Sequence, residues 1–311
     1  MVAIKRQLSR YGVDLVVIEQ PDGLDPPSPA VSFRHGDESL DDAQLAKKHH
    51  IAAKLFSTSS RPHNSRYWLW LGRNGFDPGE GIRRPRNGHH AVVRAVGRGS
   101  RPGGEVAPAD LARFEFMDYR DLHKRFDRVA SVGMMEHVGV VNYDTFFRAV
   151  RNSLHDDGVA LIHHIGRSDG PNTTSQWLQK YIFPGGYAPP LNEVTPAIER
   201  SGLMVTDIEA LRVHYALTLR LWRERFAAHR KTICSLYDER FCRMFEFYLT
   251  GAELAFRRQK HVVFQIQLSV NQFALPINRE YMLPRATREQ MNEPTRRKLE
   301  RDDQLVEESA I

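Results

Sequence analysis

"FDRVASVGMMEHVG" (residues 126–139) and, two residues later, "NYDTFFRAVRNSLHDDGVALIHHIG" (142–166) decide the fold of this 311-residue chain. The first stretch is apolar enough for a buried strand and runs out into a loop. The second supplies an amphipathic helix, a turn at Asp156-Asp157-Gly158 and another apolar strand. Strand, helix, turn and strand in that order predict a right-handed parallel unit and so an α/β sheet. In such sheets ligands collect outside the carboxyl ends of the strands. Glu136, His137, His163 and His164 all fall there.

Working outward, "ARFEFMDYRDL" (112–122) reads as a short strand and turn. "SLDDAQLAKKHHIAAKL" (39–55) reads as a helix, with Ser39 as N-cap, Asp41 and Asp42 in the first turn, and Leu45, Ile51, Ala52 and Leu55 at helical spacing. "YIFPGGYAPP" (181–190) is a Gly/Pro loop long enough for a lid or a channel lip. Residues 215–258 read as two helices. The second carries Phe241, Met244, Phe245, Tyr248, Leu249, Ala252 and Phe256, spaced either for a core face or for the lining of an acyl pocket. "HVVFQIQLSV" (261–270) alternates as an edge-capable strand, and the stretch from Arg285 mixes both charges like a solvated tail or frayed helix. Residues 1–35 are mixed, with a Pro-rich loop at Pro21, Pro26, Pro27 and Pro29.

A composition of 41% hydrophobic and 26% charged residues is that of a globular protein. No run approaches the ~18 apolar residues of a membrane span, and the first residues lack the apolar core of a signal peptide, which together predict a cytoplasmic protein. Cys234 and Cys242 have neither zinc-site nor redox-motif spacing and read as buried free thiols on a helix; no metal site is expected.

The formal charge of +6 invites an anionic partner. Its distribution withdraws the invitation. Between Phe56 and Pro108 stand nine Arg, no Lys and three acids, which is the whole of the +6, and the remainder of the chain is neutral. A nucleic-acid partner is therefore not expected.

Several blocks together carry a resemblance. "DYRDL", "FDRVASVGMMEHVG", "NYDTFFRAVRNSL", "IHHIG", "WLQKYIFPGG", "HYALTLRLWRERF" and "RFCRMFEFYLTGAELAFR" resemble, in order, the cyclopropane-fatty-acyl-phospholipid synthases, a group of S-adenosylmethionine-dependent methyltransferases that includes the mycolic acid cyclopropane synthases. The resemblance covers residues 39–55 and 112 to about 270. It implies a Rossmann-like class I methyltransferase sheet with helical lipid-binding insertions, here with its first βαβ segment disrupted. It implies an altered amino-terminal segment (1–38), a methyltransferase domain (39–270) and a charged tail (271–311).

The resemblance further implies methylene transfer to the cis double bond of phospholipid acyl chains, with S-adenosyl-L-methionine and bicarbonate as cofactors. Glu136, His163, the backbone of Ile165 and Tyr215 would hold the bicarbonate that acts as base. Asp118, Tyr119 and Arg120 would form the adenine-side turn, with Val132 beside the sulfonium. His137 and His164 read as structural. The expected setting is the inner membrane surface, peripherally bound, with a homodimer left open. Where the family has an early Tyr-Ser-Cys-Ala-Tyr, this chain has Ala30-Val31-Ser32-Phe33.

The Arg-rich window falls where the family places its cofactor glycine loop. "NSRYWLWLGRNG" (64–75) has no such pattern. Read one base later, a Trp codon followed by a CTN leucine codon gives glycine, and this happens at Trp68-Leu69 and again at Trp70-Leu71. The shifted reading from Arg86 to Val96 permits V-T-G-I-T-L-S-S-E-Q-L, again the family's pattern. Residues 57–108 therefore read as a frame-shifted translation of the cofactor segment. Two rival readings stand beside the enzyme: a non-catalytic remnant or lipid-surface binding protein whose Arg window touches anionic headgroups, and methyl transfer to a small polar substrate.

Overall fold

The computed structural model describes residues 39–56, 67–72, 90–96 and 112–283. Its centre is a seven-stranded sheet in the order β3-β2-β1-β4-β5-β7-β6. The strands are β1 (Tyr67–Gly72), β2 (His90–Val96), β3 (Ala112–Asp118), β4 (Phe126–Val132), β5 (Leu154–Arg167), β6 (Met204–Leu211) and β7 (His261–Ser269). The helices are α1 (Leu40–Lys54), α2 (Met135–Val138), α3 (Tyr143–Asn152), α4 (Gln176–Tyr181), α5 (Leu191–Arg200), α6 (His214–Ala228), α7 (Arg230–Leu236) and α8 (Glu239–Arg258). None is long and apolar enough to cross a membrane.

β1, β4 and β5 lie side by side and parallel, as the strand-helix-strand reading of 126–166 requires. α3 forms the crossover. Its Tyr143, Phe146, Phe147 and Val150, spaced i, i+3, i+4, i+7, are all essentially inaccessible. They pack on Val129, Ala160, Ile162, Phe264 and Ile266 of the sheet and on Ala197 and Ile198 of α5. Each such side chain contributes about 2 kcal/mol of hydrophobic stabilisation. β2 runs antiparallel to both β1 and β3, so the first two strands do not form a parallel βαβ unit. Of the window expected to be frame-shifted, residues 57–66, 73–89 and 97–108 lie outside the described residues, as do residues 1–38 and the charged segment from Arg285.

Four readings need correction. The Asp156-Asp157-Gly158 turn is a bulge inside β5: Leu154 pairs with Phe126 and Val159 with Arg128, so five residues of β5 pass where β4 uses two. A Cβ on Gly158 would sit 2.7 Å from the His155 carbonyl oxygen, which is how tightly the strand folds back there. β7 is not an edge strand but lies between β5 and β6, antiparallel to both. Its alternation is real, yet both faces are buried. Val262, Phe264, Ile266 and Leu268 face the α3 side, while Gln265 and Gln267 are buried on the other, each held by hydrogen bonds.

Residues 215–258 contain three helices, because the chain breaks after α7 and restarts where Asp238 caps α8 through the Phe241 N–H at 2.6 Å. The two cysteines accordingly sit on different helices, Cys234 on α7 and Cys242 on α8, and both are free. The aromatic stripe of α8 is core: Phe245, Tyr248, Leu249 and Phe256 are buried against α6 and the sheet.

The fourth correction concerns α1. Ser39 does cap it, accepting from Asp42 N–H at 3.2 Å. Of the expected face, Leu55 is buried and Ile51 packs beside it, Ala52 points to solvent, and the side chain of Leu45 lies outside the described residues; Leu40, Ala43, Lys47 and Lys54 are buried as well. Lys54 is 1% exposed and reaches Asp207 at 3.1 Å and Glu209 at 2.6 Å on β6, where His50 joins it at 2.6 Å from Glu209. Nor does the packed chain end at residue 270. Ala274 is buried, and Tyr281 hydrogen-bonds Gln267 at 2.9 Å and meets Phe56 edge-on at 5.2 Å.

Candidate active site

Register places Val132, His163, Gln265 and Glu209 in one row across β4, β5, β7 and β6. Residues in one row point to one face, here the face covered by α1. Beyond Val132 the chain turns through Gly133 at φ +66°, a conformation that favours glycine. The Gly133 N–H donates to the His163 carbonyl at 2.9 Å, binding the exit of β4 to β5. The short α2 then carries Glu136 back over the end of β5.

Glu136 Oε1 accepts the backbone N–H of Ile165 at 2.6 Å. Burial pushes this carboxyl up to about 7, against the smaller opposing pull of that hydrogen bond and of its own backbone. Its second oxygen, Oε2, is buried without a hydrogen-bond partner. A carboxyl half-protonated near neutrality is both a usable acid and a usable base.

His163 Nδ1 lies 3.1 Å from Gln265 Nε2. An amide nitrogen can only donate, so Nδ1 accepts and the proton of the neutral ring sits on Nε2. That Nε2 is buried and has no partner. Burial first, and then the charge of Lys47, hold the imidazole well below its usual basicity, so the ring stays neutral.

Tyr215, at the start of α6, is buried edge-on to Phe256 at 4.7 Å and to Trp222 at 6.0 Å. Its hydroxyl is coupled to that of Tyr248 on α8, and its acidity is suppressed by burial, then by Tyr248 and by the charge of Glu136. Glu136 and Ile165 are thus joined directly, and Tyr215 lies near enough to feel the charge of Glu136. His163 stands two residues before Ile165 on the same face of β5. One assignment changes: the Ile165 N–H is engaged by Glu136 and is not a free donor. His164 faces the opposite side, against Phe264 at 5.7 Å, with Nδ1 3.0 Å from the Ile165 carbonyl, a structural placement.

The loop 182–190 forms a fastened wall. Tyr187 N–H donates to the Glu136 carbonyl at 2.9 Å, Thr174 holds the Gly186 carbonyl at 2.8 Å, and Pro190 bridges to Arg167. Gly166 lies directly beneath: a Cβ there would stand 2.6 Å from the Pro189 carbonyl oxygen and 2.7 Å from the Phe264 ring.

Of the residues expected to meet the cofactor, Asp118 ends β3 at the same end of the sheet as Val132. Both its carboxylate oxygens are taken by Arg120, at 2.9 Å and 2.7 Å. Tyr119 is buried against Phe146 at 5.6 Å, part of the core. This pair ties the turn to itself, while the exposed Arg120 guanidinium keeps further N–H donors. Val132 is buried at its strand end next to Gly133, whose missing Cβ faces open space. Among the described residues no cluster of His, Cys, Asp and Glu could hold a metal ion.

Two participants escaped the sequence reading. Gln265, which sets the His163 tautomer, sits at a polar position in the β7 alternation, and that alternation was the available signal. Tyr248, which meets Tyr215, was legible only as a member of an aromatic stripe. The site as a whole offers an imidazole N–H with an open acceptor position and a carboxyl with an open oxygen, both buried. The imidazole N–H can donate, and the carboxyl can donate when protonated and accept when ionised.

Comparison with known proteins gives the family. The model of the mycolic acid cyclopropane synthetase family matches residues 105–266. Over 152 residues the chain is 41% identical to the cyclopropane-fatty-acyl-phospholipid synthase of Escherichia coli K12, covering 49% of this chain and 40% of that protein. Over 151 residues it is 39% identical to the tuberculostearic acid methyltransferase UfaA1 of Mycobacterium tuberculosis, 46% of this chain and 35% of that one. The chain thus spans well under half the length of these two relatives. In fold it is similar to the mycolic acid cyclopropane synthase CmaA1 complexed with SAH and CTAB, with a TM-score of 0.60 at 21% identity over 86% of this chain and 97% of that one. With more than half of its residues matched by that family model, the chain belongs to the mycolic acid cyclopropane synthetase family.

Proposed function

We propose that the site is built for S-adenosylmethionine-dependent methylene transfer to the cis double bond of unsaturated phospholipid acyl chains. The observation that carries this reading is the pair of buried, open polar atoms, Glu136 Oε2 and His163 Nε2, at the strand ends of a family member. S-adenosylmethionine, when bound, supplies an electrophilic methyl group to the alkene, and the addition must be followed by loss of a proton as the ring closes.

This chain's residues handle that proton. His163, neutral and held by Gln265, would orient a bicarbonate through its Nε2–H. Glu136, with a carboxyl poised near 7, would take or share a proton with that anion rather than repel it. Tyr215 and Tyr248 close the apolar side, and the loop 182–190 keeps water from the reacting centre. Val132 and Gly133 line the cofactor edge. The acyl substrate implies work at the inner membrane surface.

A second reading has its own observation. β2 is antiparallel to β1, so the first unit lacks the parallel strand-to-helix turn that would cradle the donor. Residues 57–108 are, on this view, a base-shifted translation of the cofactor segment, and the chain as it stands is a non-catalytic lipid-surface protein. Titration of S-adenosylmethionine into this chain and into one with 57–108 re-translated one base later tests both. The expected outcome is saturable donor binding by the re-translated chain only, with cis-unsaturated phosphatidylglycerol vesicles gaining the mass of one methylene per acyl chain. Ring formation by the present chain sinks the base-shift reading. Absence of binding and product with both chains sinks the enzyme.

A further inference from the structure

The outward face of α8 is chemically one-sided. Arg240, Arg243, Phe247, Leu254 and Arg258 recur along it and are all exposed, Phe247 at 64% and Leu254 at 49%. The acids of the same helix point elsewhere and are each engaged. Glu239 and Glu246 pair with Arg230, at 2.6 Å and 2.7 Å, and Glu253 pairs with Arg223 at 3.3 Å and Arg257 at 2.8 Å. Arg240, Arg243 and Arg258 make no ion pair among the described residues. Glu239 also feels the charge of Arg243, but its carboxylate is already paired with Arg230, so the face keeps a surplus of cationic charge.

α4 extends this face with aromatics. Trp177 meets Phe247 edge-on at 4.9 Å and Tyr181 at 5.7 Å, and Tyr181 is 41% exposed with Lys180 lying 5.2 Å over its ring. Trp, Tyr and Phe grouped with Lys and Arg is the composition of side chains that sit at a membrane–water interface, ring in the headgroup layer and charge on the phosphates. Position adds a second argument. On its inner side α8 presents Tyr248 to Tyr215, and Tyr248 meets Phe183 at 5.8 Å, where the wall-forming loop begins. The exposed cluster and the site are thus two sides of one helix.

We propose that this surface, Trp177, Lys180 and Tyr181 of α4 with Arg240, Arg243, Phe247, Leu254 and Arg258 of α8, docks the protein on an anionic phospholipid bilayer and sets the mouth of the site against the acyl chains. It rests on the lipid-directed reading above, but not on bound donor or on turnover. A charge-neutral apolar partner would leave the surplus of cations without counter-charge, and a second copy of this same face would set them against their own kind. The bilayer supplies both missing complements, phosphates for the cations and interfacial depth for the rings.

Co-sedimentation of the full chain with vesicles of phosphatidylglycerol and phosphatidylcholine, and with vesicles of phosphatidylcholine alone, tests the surface directly. Binding is expected to the anionic vesicles only and to weaken in high salt. Phe247→Ala and the double change Arg240→Glu with Arg243→Glu, all at exposed positions, should each lower that binding at least tenfold while circular dichroism and melting stay unchanged. Vesicle binding retained by both variants assigns the contact to another part of the chain and overturns the proposal, as does a wild-type dimer that Phe247→Ala turns into a monomer in sedimentation velocity. Loss of vesicle binding in the variants supports the surface even if no methylene is ever transferred, so the two readings fail separately.

Discussion

Ile165 gives its backbone N–H to Glu136 Oε1 across 2.6 Å, joining the end of β5 to the short helix that follows β4. The bond fixes one carboxyl oxygen and leaves the other buried and open, which makes protonation of Glu136 the variable on which the site turns.

Burial raises this carboxyl from 4.5 to about 7. Between those values the native state keeps a proton that the unfolded chain has released, so this group's contribution to stability falls as pH rises through the window, by about 3 kcal/mol in all. Glu136→Gln removes the dependence. In denaturant titrations at pH 5 and pH 8, the difference between variant and wild type should move in the variant's favour by about 2 kcal/mol. An unchanged difference would mean that Glu136 titrates as an ordinary surface acid.

Gln265 holds His163 in one tautomer by donating to Nδ1 at 3.1 Å. Gln265→Leu removes the donor and leaves Nδ1 buried without a partner, at a cost of about 1–3 kcal/mol in stability. Nitrogen-resolved NMR of the imidazole should show the Nε2–H form in the wild type and a mixture in the variant. If methylene transfer is restored or present, its kcat should fall more than its KM rises, because the ring's orientation and not lipid affinity has been lost.

Lys54 is buried between Asp207 and Glu209, and burial would raise Glu209 but for His50 and Lys54, which pull it down to about 2. Lys54→Met should destabilise the fold by about 1–3 kcal/mol, because it takes the buried ammonium from between two carboxylates and leaves their mutual repulsion less offset. Arg279, 2.7 Å from Asp207, and His50, 2.6 Å from Glu209, each still offset one of the two acids. Thermal melts of Lys54→Met, and of Lys54→Met combined with Glu209→Gln, check this: the second change should recover part of the loss.

This cluster also explains which parts of the fold could be read in advance. The unit β4-α3-β5 was legible because its burial follows apolar spacing, Tyr143, Phe146, Phe147 and Val150 lying on one stripe. The face of α1 was not, since Lys54 goes inward only because β6 supplies Asp207 and Glu209, partners more than 150 residues away in the chain. β7 misled for a related reason: Gln265 and Gln267 mimic a solvated face while meeting buried partners. Glu136, His163 and Tyr215 were reachable through the family's blocks, whereas the engagement of Ile165 by Glu136 depended on the turn at Gly133 and could be seen only in three dimensions.

Gly166 tests whether the wall over the site is fixed or adjustable. An added Cβ would stand 2.6 Å from the Pro189 carbonyl oxygen and 2.7 Å from the Phe264 ring, both far inside ordinary contact. The ring belongs to a packed sheet face and the carbonyl to backbone, so neither can swing aside as a flexible side chain would. The weaker restraint is the loop 182–190, and its attachment to Glu136 is a single backbone hydrogen bond from Tyr187 at 2.9 Å. Gly166→Ala should therefore cost about 1–3 kcal/mol and displace the loop, breaking the Tyr187 bond and admitting water beside Glu136. Hydrogen exchange at the Tyr187 amide should rise at least tenfold, and the pH dependence assigned to Glu136 should shrink as its carboxyl becomes hydrated. Unchanged protection at Tyr187 would mean that the sheet yields instead and that the loop is the rigid partner.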